Sequence, residues 1–341
     1  MKKKIILINL FIILVALTTA CSSYDKNYSI YNLWIEGVKV TTRNQNDILG
    51  DGTVSFSGNS KEGVLTLNNA NLTETFIRES ESVIISDIDK LTINLIGENN
   101  VGMGDKTPTN GIFGKEIVFA GEGSLSLGAR AFGVQAINIV VNSGEIDTYL
   151  KLNEGEIATF ISVGFSAQEN LIVNDGDINV FSNATNSRGL YSLKDIDING
   201  GNVTVSSDNP MLMTIGIIAS MKLTIKDGCI SSYARDDALN AKEFEMSGGI
   251  VKAESMDFVF TMNGIEPDGV CRFLDAKFTG GEFTLSIINR IVPNSVTLFC
   301  NTIDVEKVEV YGGDDLETLI KKDKKSYEYK DNCISIKGKG E

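Results

Sequence analysis

The sequence predicts an all-β chain wound as a single-stranded parallel β-helix, a solenoid with a capping element at each end. Three observations predict it. A glycine-centred pattern recurs along the chain. The spacing inside each copy is nearly constant while the spacing between copies varies. No copy shows a sustained helical period.

Each copy sets apolar residues in alternation, then a glycine turn, then apolar residues in alternation again. One copy holds Ile137, Ile139, Gly144 and Ile146; the next holds Leu171, Val173, Gly176, Ile178 and Val180; a third holds Ile196, Ile198, Gly201, Val203 and Val205. Period-two alternation marks strands with one face inward. Anchors at Gly123, Gly144, Gly176, Gly201, Gly228, Gly249 and Gly281 lie 21, 32, 25, 27, 21 and 32 residues apart, and weaker copies precede them at Leu65–Leu72 and Leu91–Val101. Eleven or twelve residues before an anchor stands a small-apolar-variable-small element, beginning at Gly111, Gly133, Gly164, Gly189, Gly216 and Ala238. Fixed strands with one loop of variable length per unit describe coils stacking at about 4.8 Å. A β-sandwich shares the turn signals but has no reason to repeat one side-chain series.

Stacking turns equal offsets into columns. Two residues after the anchors, Leu125, Ile146, Ile178, Val203, Ile230, Val251 and Phe283 form an inward apolar ladder. Two residues before them, Asn142, Asn174 and Asn199 predict an asparagine ladder at a turn. One residue after them, Glu145 and Asp177 fall on adjacent coils. Carboxylates that close repel unless a cation or proton separates them, so the pair is a weak candidate Ca²⁺ site beside the plainer reading of two solvated side chains.

The chain has 341 residues, with 31 Lys+Arg, 45 Asp+Glu and no histidine, for a formal charge of −14. Without histidine there is no Ser-His-Asp or Cys-His nucleophile, no imidazole zinc site and no histidine base. The acidity speaks against nucleic acid as partner. Lys2–Lys4 followed by the apolar run Ile5–Leu17 and Thr18-Thr19-Ala20-Cys21 reads as a targeting segment, with an apolar run shorter than a bilayer span of about 20 residues. It resembles a bacterial lipoprotein signal with Cys21 as the lipidated residue, although Thr18 stands where that motif carries Leu. Ordinary secretion is the alternative, and both readings place the mature chain outside the cytoplasm. Residues 1–20 hold three lysines and no acid, so their removal takes the charge from −14 to −17.

The expected organisation is a signal at 1–20, a tether at 21–30, an N-terminal β cap and first rung at 31–80, β-helix repeats at 81–300 and a C-terminal cap at 301–341. The N-terminal cap is expected as a hairpin drawn from Leu33–Thr41 and Leu49–Phe56. The C-terminal cap holds the amphipathic stretch Leu316–Lys322. Cys229, Cys271, Cys300 and Cys333 have no paired spacing; they allow three pairings or act as small buried apolar residues.

The unit Asp236-Asp237-Ala238-Leu239-Asn240-Ala241, followed by Gly248-Gly249, resembles a family of secreted bacterial β-helix proteins described as carbohydrate-binding domains. The likeness covers roughly residues 85–290, and Leu33–Phe56 resembles the start of clostridial surface proteins. The resemblance implies a right-handed parallel β-helix, an acidic plant polysaccharide as ligand, and Ca²⁺ held by Asp side chains, here Asp236 and Asp237. The acidic pair occurs once. Its place is taken elsewhere by Thr109-Asn110, Ala131-Phe132, Ser162-Val163, Ser187-Arg188 and Thr214-Ile215. A rod at −17 repels bare polyuronate, so an acidic glycan needs bridging Ca²⁺ or local Lys/Arg.

The functional expectation is a monomeric, surface-anchored, non-catalytic polysaccharide-binding lipoprotein, Ca²⁺-assisted, with membrane contact through its N-terminal lipid. Phe132, Phe165, Tyr191 and Tyr233 are the aromatic residues near turns that sugars could stack on. The alternatives are a structural or adhesive surface rod, about nine rungs and near 40 Å long, and a pectate-lyase-like enzyme with Arg235 as base beside Asp236 and Asp237. The polygalacturonase type of that fold carries a Gly-His-Gly element, which this chain lacks.

Overall fold

The computed structural model describes residues 28–78, 81–154, 160–184, 186–207, 214–256, 271–288, 298–305, 307–314, 316–317, 319–322, 328–329 and 333–338. Every regular element among them is a β-strand, and the strands assemble into two sheets of 18 and 12 strands. Each central repeat gives a long stretch to the larger sheet and a short strand to the smaller one. Phe132–Val141 is followed by Glu145–Leu150, and Ser162–Val173 by Asp177–Ser182. Each then pairs in parallel with the equivalent strand of the next repeat.

The inward ladder holds in register over every repeat: Leu125, Ile146, Ile178, Val203, Ile230, Val251 and Phe283 are successive partners. All are buried in one continuous apolar core. Burying each such side chain is worth roughly 1.5–3 kcal/mol, which is what selects this register over a one-residue slip.

The glycine turns have a steric cause. Gly144, Gly176, Gly201, Gly228, Gly249 and Gly281 all have positive φ, between 77° and 97°. A Cβ on Gly201 would stand 2.3 Å from the carbonyl oxygen of Gly176, one coil away. Handedness and close approach both exclude a side chain there. The earliest anchor is displaced: the positive φ falls on Gly121 at 103°, not on Gly123.

The small-apolar-variable-small element is small for a different reason. Its leading glycine lies against the core column of the smaller sheet. A Cβ on Gly111, Gly133, Gly164 or Gly189 would meet Leu127, Thr148, Val180 or Val205 at 2.4–2.7 Å. These glycines let the two sheets approach closely.

The asparagine ladder forms as expected. Asn174 donates its side-chain amide to Asn142 Oδ1 at 2.8 Å, and Asn199 donates to Asn174 Oδ1 at 2.8 Å. Each bond is worth about 1 kcal/mol net. The series stops where the offset is next occupied by Lys226.

The two ends are antiparallel. Ile30–Ile35 and Val38–Thr41 form a hairpin on their own, turning at Glu36 and Gly37 with φ of 49° and 79°. Val54–Gly58 pairs instead with Glu62–Asn68. The expected single hairpin from Leu33–Thr41 and Leu49–Phe56 is therefore two hairpins, because a turn with two positive-φ residues already closes the first. At the other end, Cys333–Gly338 runs antiparallel to Glu282–Ile288 and to Val308–Gly313. Within the amphipathic stretch, Ile320–Lys321 pairs as a short strand with Val308–Gly313. Cys271 and Cys333 are buried, whereas Cys229 is exposed, since the position after an anchor glycine points outward.

Candidate functional site

The outer face of the smaller sheet is a regular lattice. Strands Ser124–Ala129, Glu145–Leu150, Asp177–Ser182 and Asn202–Ser207 turn their even-offset residues inward, so the others project in columns. One column runs Ser124, Glu145, Asp177, Asn202; the next runs Ser126, Asp147, Asn179, Thr204; the third runs Gly128, Tyr149, Phe181, Ser206. Neighbours along a column are one strand spacing apart, about 4.8 Å.

The polar columns are cross-linked from coil to coil. Asn179 donates its amide to Asp147 Oδ1 at 2.8 Å, and Asn202 donates to Asp177 Oδ1 at 2.6 Å. Each carboxylate keeps lone pairs directed at solvent, which suits it to accept bonds from ligand hydroxyls. Glu145 and Asp177, paired in sequence by their common offset, are direct register partners here.

The third column carries an aromatic pair. The rings of Tyr149 and Phe181 stack with centroids 5.5 Å apart and planes 18° apart. Phe181 remains 36% exposed. Together with Lys151 and Asn183 the pair borders an open cleft of about 310 Å³. Burial, then the charges of Asp147 and Glu145, pushes the Tyr149 phenol above its ordinary pKa, so it stays a neutral donor and acceptor. Apolar ring surface beside fixed amides, carboxylates and a lysine matches the two-sided character of a sugar, whose C–H faces and hydroxyl edges need different partners.

Neither ring was legible as part of a site from turn proximity. Of the aromatic residues singled out that way, Phe165 is core, edge-on to Phe119 at 6.3 Å. Tyr191 lies under the Arg188 guanidinium at 4.6 Å. Tyr233 is partly buried, and burial followed by the Glu254 charge raises its pKa. The missed signal was the offset: Tyr149 and Phe181 each stand five residues after an anchor glycine.

Asp236 and Asp237 lie elsewhere, at the corner where the chain leaves the smaller sheet for the larger. The residues expected to replace them are register neighbours at this corner: Ser162 pairs with Ser187, Val163 with Arg188, Ser187 with Thr214 and Arg188 with Ile215. The two acids part company. Asp236 is ion-paired with Arg235 at 3.3 Å. Asp237 is buried, accepts the Asn240 amide at 2.7 Å, and its backbone carbonyl accepts from Gly216 N at 3.0 Å. The fold does not bring this pair together with Glu145 and Asp177. Several coils down the same corner, Arg130 bridges Glu81 at 2.9 Å and the Thr109 hydroxyl at 2.7 Å. Burial opposes ionisation of Glu81, but the Thr109 hydroxyl and the Arg130 charge outweigh it and hold the carboxyl below its usual range.

The larger sheet presents a contrasting outer surface. Lys222 meets Glu245 at 2.7 Å and Lys277 meets it at 3.8 Å, in a cleft that Glu243, Asp275 and Asp304 also line. The Lys222 hydrogen bond lowers the Glu245 pKa, and the same bond raises that of Lys222. These charges mainly serve one another. Cys21 lies outside the described residues.

Residues 89–258 are similar to a family whose model is described as "Carbohydrate-binding domain-containing protein". The lattice and its aromatic pair fall inside that span. No curated protein and no solved structure matches the chain.

Proposed function

We propose that the protein is a non-catalytic polysaccharide-binding rod that uses the outer face of its smaller sheet, anchored outside the cytoplasm through a lipid on Cys21. The single observation that carries the reading is the Tyr149–Phe181 stack set among coil-to-coil columns of amides and carboxylates. The family similarity over 89–258 supports a carbohydrate as the ligand class. The parallel pairing of each coil with the next supports a single β-helix, and the strong preference of parallel crossovers for one hand supports the right-handed form.

In this reading an extended glycan lies along the lattice. Its ring faces pack against Tyr149 and Phe181, and its hydroxyls meet Asp147, Asn179 and Asp177. Calcium is proposed as an auxiliary, with Glu145 and Asp177 as the pair on the binding face and Asp236 and Asp237 as the pair at the corner. The corner acids are each engaged by a neighbour, Arg235 or Asn240, so a cation there competes with existing bonds.

A glycan-array screen of the protein, with and without EDTA, tests both parts. Retention of at least one polysaccharide class is expected, weakened by the chelator. Absence of retention on every polysaccharide overturns the binding reading. Retention indifferent to EDTA, with superimposable Ca²⁺ isotherms for wild type and Asp236→Asn/Asp237→Asn, removes calcium while leaving glycan binding in place.

A further inference from the structure

Tyr233 shares the offset of Tyr149 and Phe181: it stands five residues after its anchor, Gly228. Its strand, Cys229–Ala234, buries Ile230, Ser232 and Ala234 and turns Cys229, Ser231 and Tyr233 outward. Register carries the third column of the lattice on to it. Phe181 pairs with Ser206, and Val205 pairs with Ser232, which sets Tyr233 beside Ser206 on the outer face. The column therefore reads Tyr149, Phe181, Ser206, Tyr233 from coil to coil. Both of its ends are marked. Before Tyr149 it holds Gly128, which offers no side chain. After Tyr233 it holds Glu254, engaged by Lys252 at 3.0 Å and by the Ser286 hydroxyl at 3.2 Å.

The column beside it is polar over the same coils: Asp147, Asn179, Thr204 and Ser231 follow one another in register. A line of ring surface next to a line of hydrogen-bonding groups suits an extended glycan along its whole length, with C–H faces on one and hydroxyl edges on the other. Direction follows from this pairing of columns. Along a single strand a glycan would meet Tyr149, then Asp147, then Glu145, a ring and two acids at intervals of about 6.7 Å. From coil to coil the interval is about 4.8 Å, close to the advance per ring of an extended, equatorially linked pyranose chain.

We propose that the glycan crosses the strands from coil to coil, one sugar ring to each coil, and that Tyr233 forms a second aromatic subsite two coils beyond Phe181. Ser206 is the small floor between the two subsites. Burial, then the Glu254 charge, raises the Tyr233 pKa, so its phenol stays a neutral donor. This orientation rests on the glycan-binding reading above and adds to it a ligand class: a linear, extended chain, unbranched over about four sugar rings.

Affinity electrophoresis of the full chain tests it in gels of hydroxyethylcellulose, linear β-1,4-mannan, mixed-linkage β-glucan and polygalacturonate in turn. Fragments of increasing length, cut from the polysaccharide that retards wild type, then compete. Competition should strengthen with each added ring up to about four and level off. Tyr233→Ala should weaken the four-ring fragment about fivefold and leave the two-ring fragment, which the Tyr149–Phe181 pair holds alone, nearly unchanged. Tyr233→Phe should keep most of the affinity, at the melting temperature of wild type. The orientation is overturned if wild type is retarded but Tyr233→Ala responds like it to every fragment, or if competition levels off at two rings. Equal losses for both Tyr233 variants at a lowered melting temperature overturn it too, since Tyr233 then serves the strand rather than the ligand. Retardation of wild type in none of the gels overturns the binding reading itself, and this orientation with it.

Discussion

Gly189→Val is expected to collapse the central coils. A Cβ at this position would stand 2.5 Å from both terminal methyls of Val205 and 2.8 Å from the Gly216 carbonyl oxygen. One obstacle is a side chain of the facing sheet and the other is the backbone of the next coil. Overpacking a tight core costs about 1–3 kcal/mol where neighbours give way, and more where they are backbone. Stability in a stacked array is a sum of each coil and its contacts with its neighbours, so a displaced coil weakens two interfaces. Thermal unfolding followed by circular dichroism should show a large fall for Gly189→Val and a smaller one for Gly189→Ala. Adding Val205→Ala should restore part of the loss, because it removes the methyls but leaves the carbonyl. Simple additivity of the two changes would place the glycine's role elsewhere.

Phe244→Ala should be the most damaging truncation at the C-terminal end. Phe244 stacks on Phe273 at 4.3 Å and also touches Phe278 and Phe283, at 5.2 and 5.5 Å. All four rings are essentially inaccessible. Its column carries Leu171, Ile196 and Leu223 on earlier coils and Ala276 on the next, so one large ring fills space that its small neighbour leaves. Alanine would open a cavity walled by rings too rigid to close it, at a cost of about 3–5 kcal/mol. Phe244→Leu should lose clearly less. Hydrogen exchange should locate the loss in strands Leu239–Met246 and Cys271–Phe278 before the N-terminal coils. Uniform loss of protection along the chain would contradict the local origin.

These cases mark how far the sequence could be read. The inward ladder from Leu125 to Phe283 and the Asn142–Asn174–Asn199 series were legible because a repeated unit converts equal offsets into stacked neighbours. Glu145 and Asp177 came into register by the same logic. The aromatic pair was as accessible in principle, since Tyr149 and Phe181 share an offset. Turn proximity, the cue used instead, selected Phe165, which is core. Phe165 lies within the strand Ser162–Val173, whose first six residues are all buried. The corner was legible as a column but not in its chemistry. Adjacent aspartates suggest two ligands for one ion, whereas the bend turns Asp237 inward to Asn240 and leaves Asp236 to Arg235. The caps escaped the repeat altogether, because antiparallel pairing at each end has no periodicity to betray it.

The central claim is that glycan binds across the outer face of the smaller sheet. Affinity electrophoresis of wild type, Tyr149→Ala/Phe181→Ala and Lys222→Ala in gels containing the polysaccharide retained in the array screen tests it most directly. Aromatic contacts of this kind are worth about 0.5–1.5 kcal/mol each, so the double variant should bind about tenfold more weakly or worse. Lys222→Ala, on the larger sheet, should migrate like wild type. Unchanged retardation of the aromatic variant, with retardation lost for Lys222→Ala, would move the binding surface to the other sheet and contradict the account.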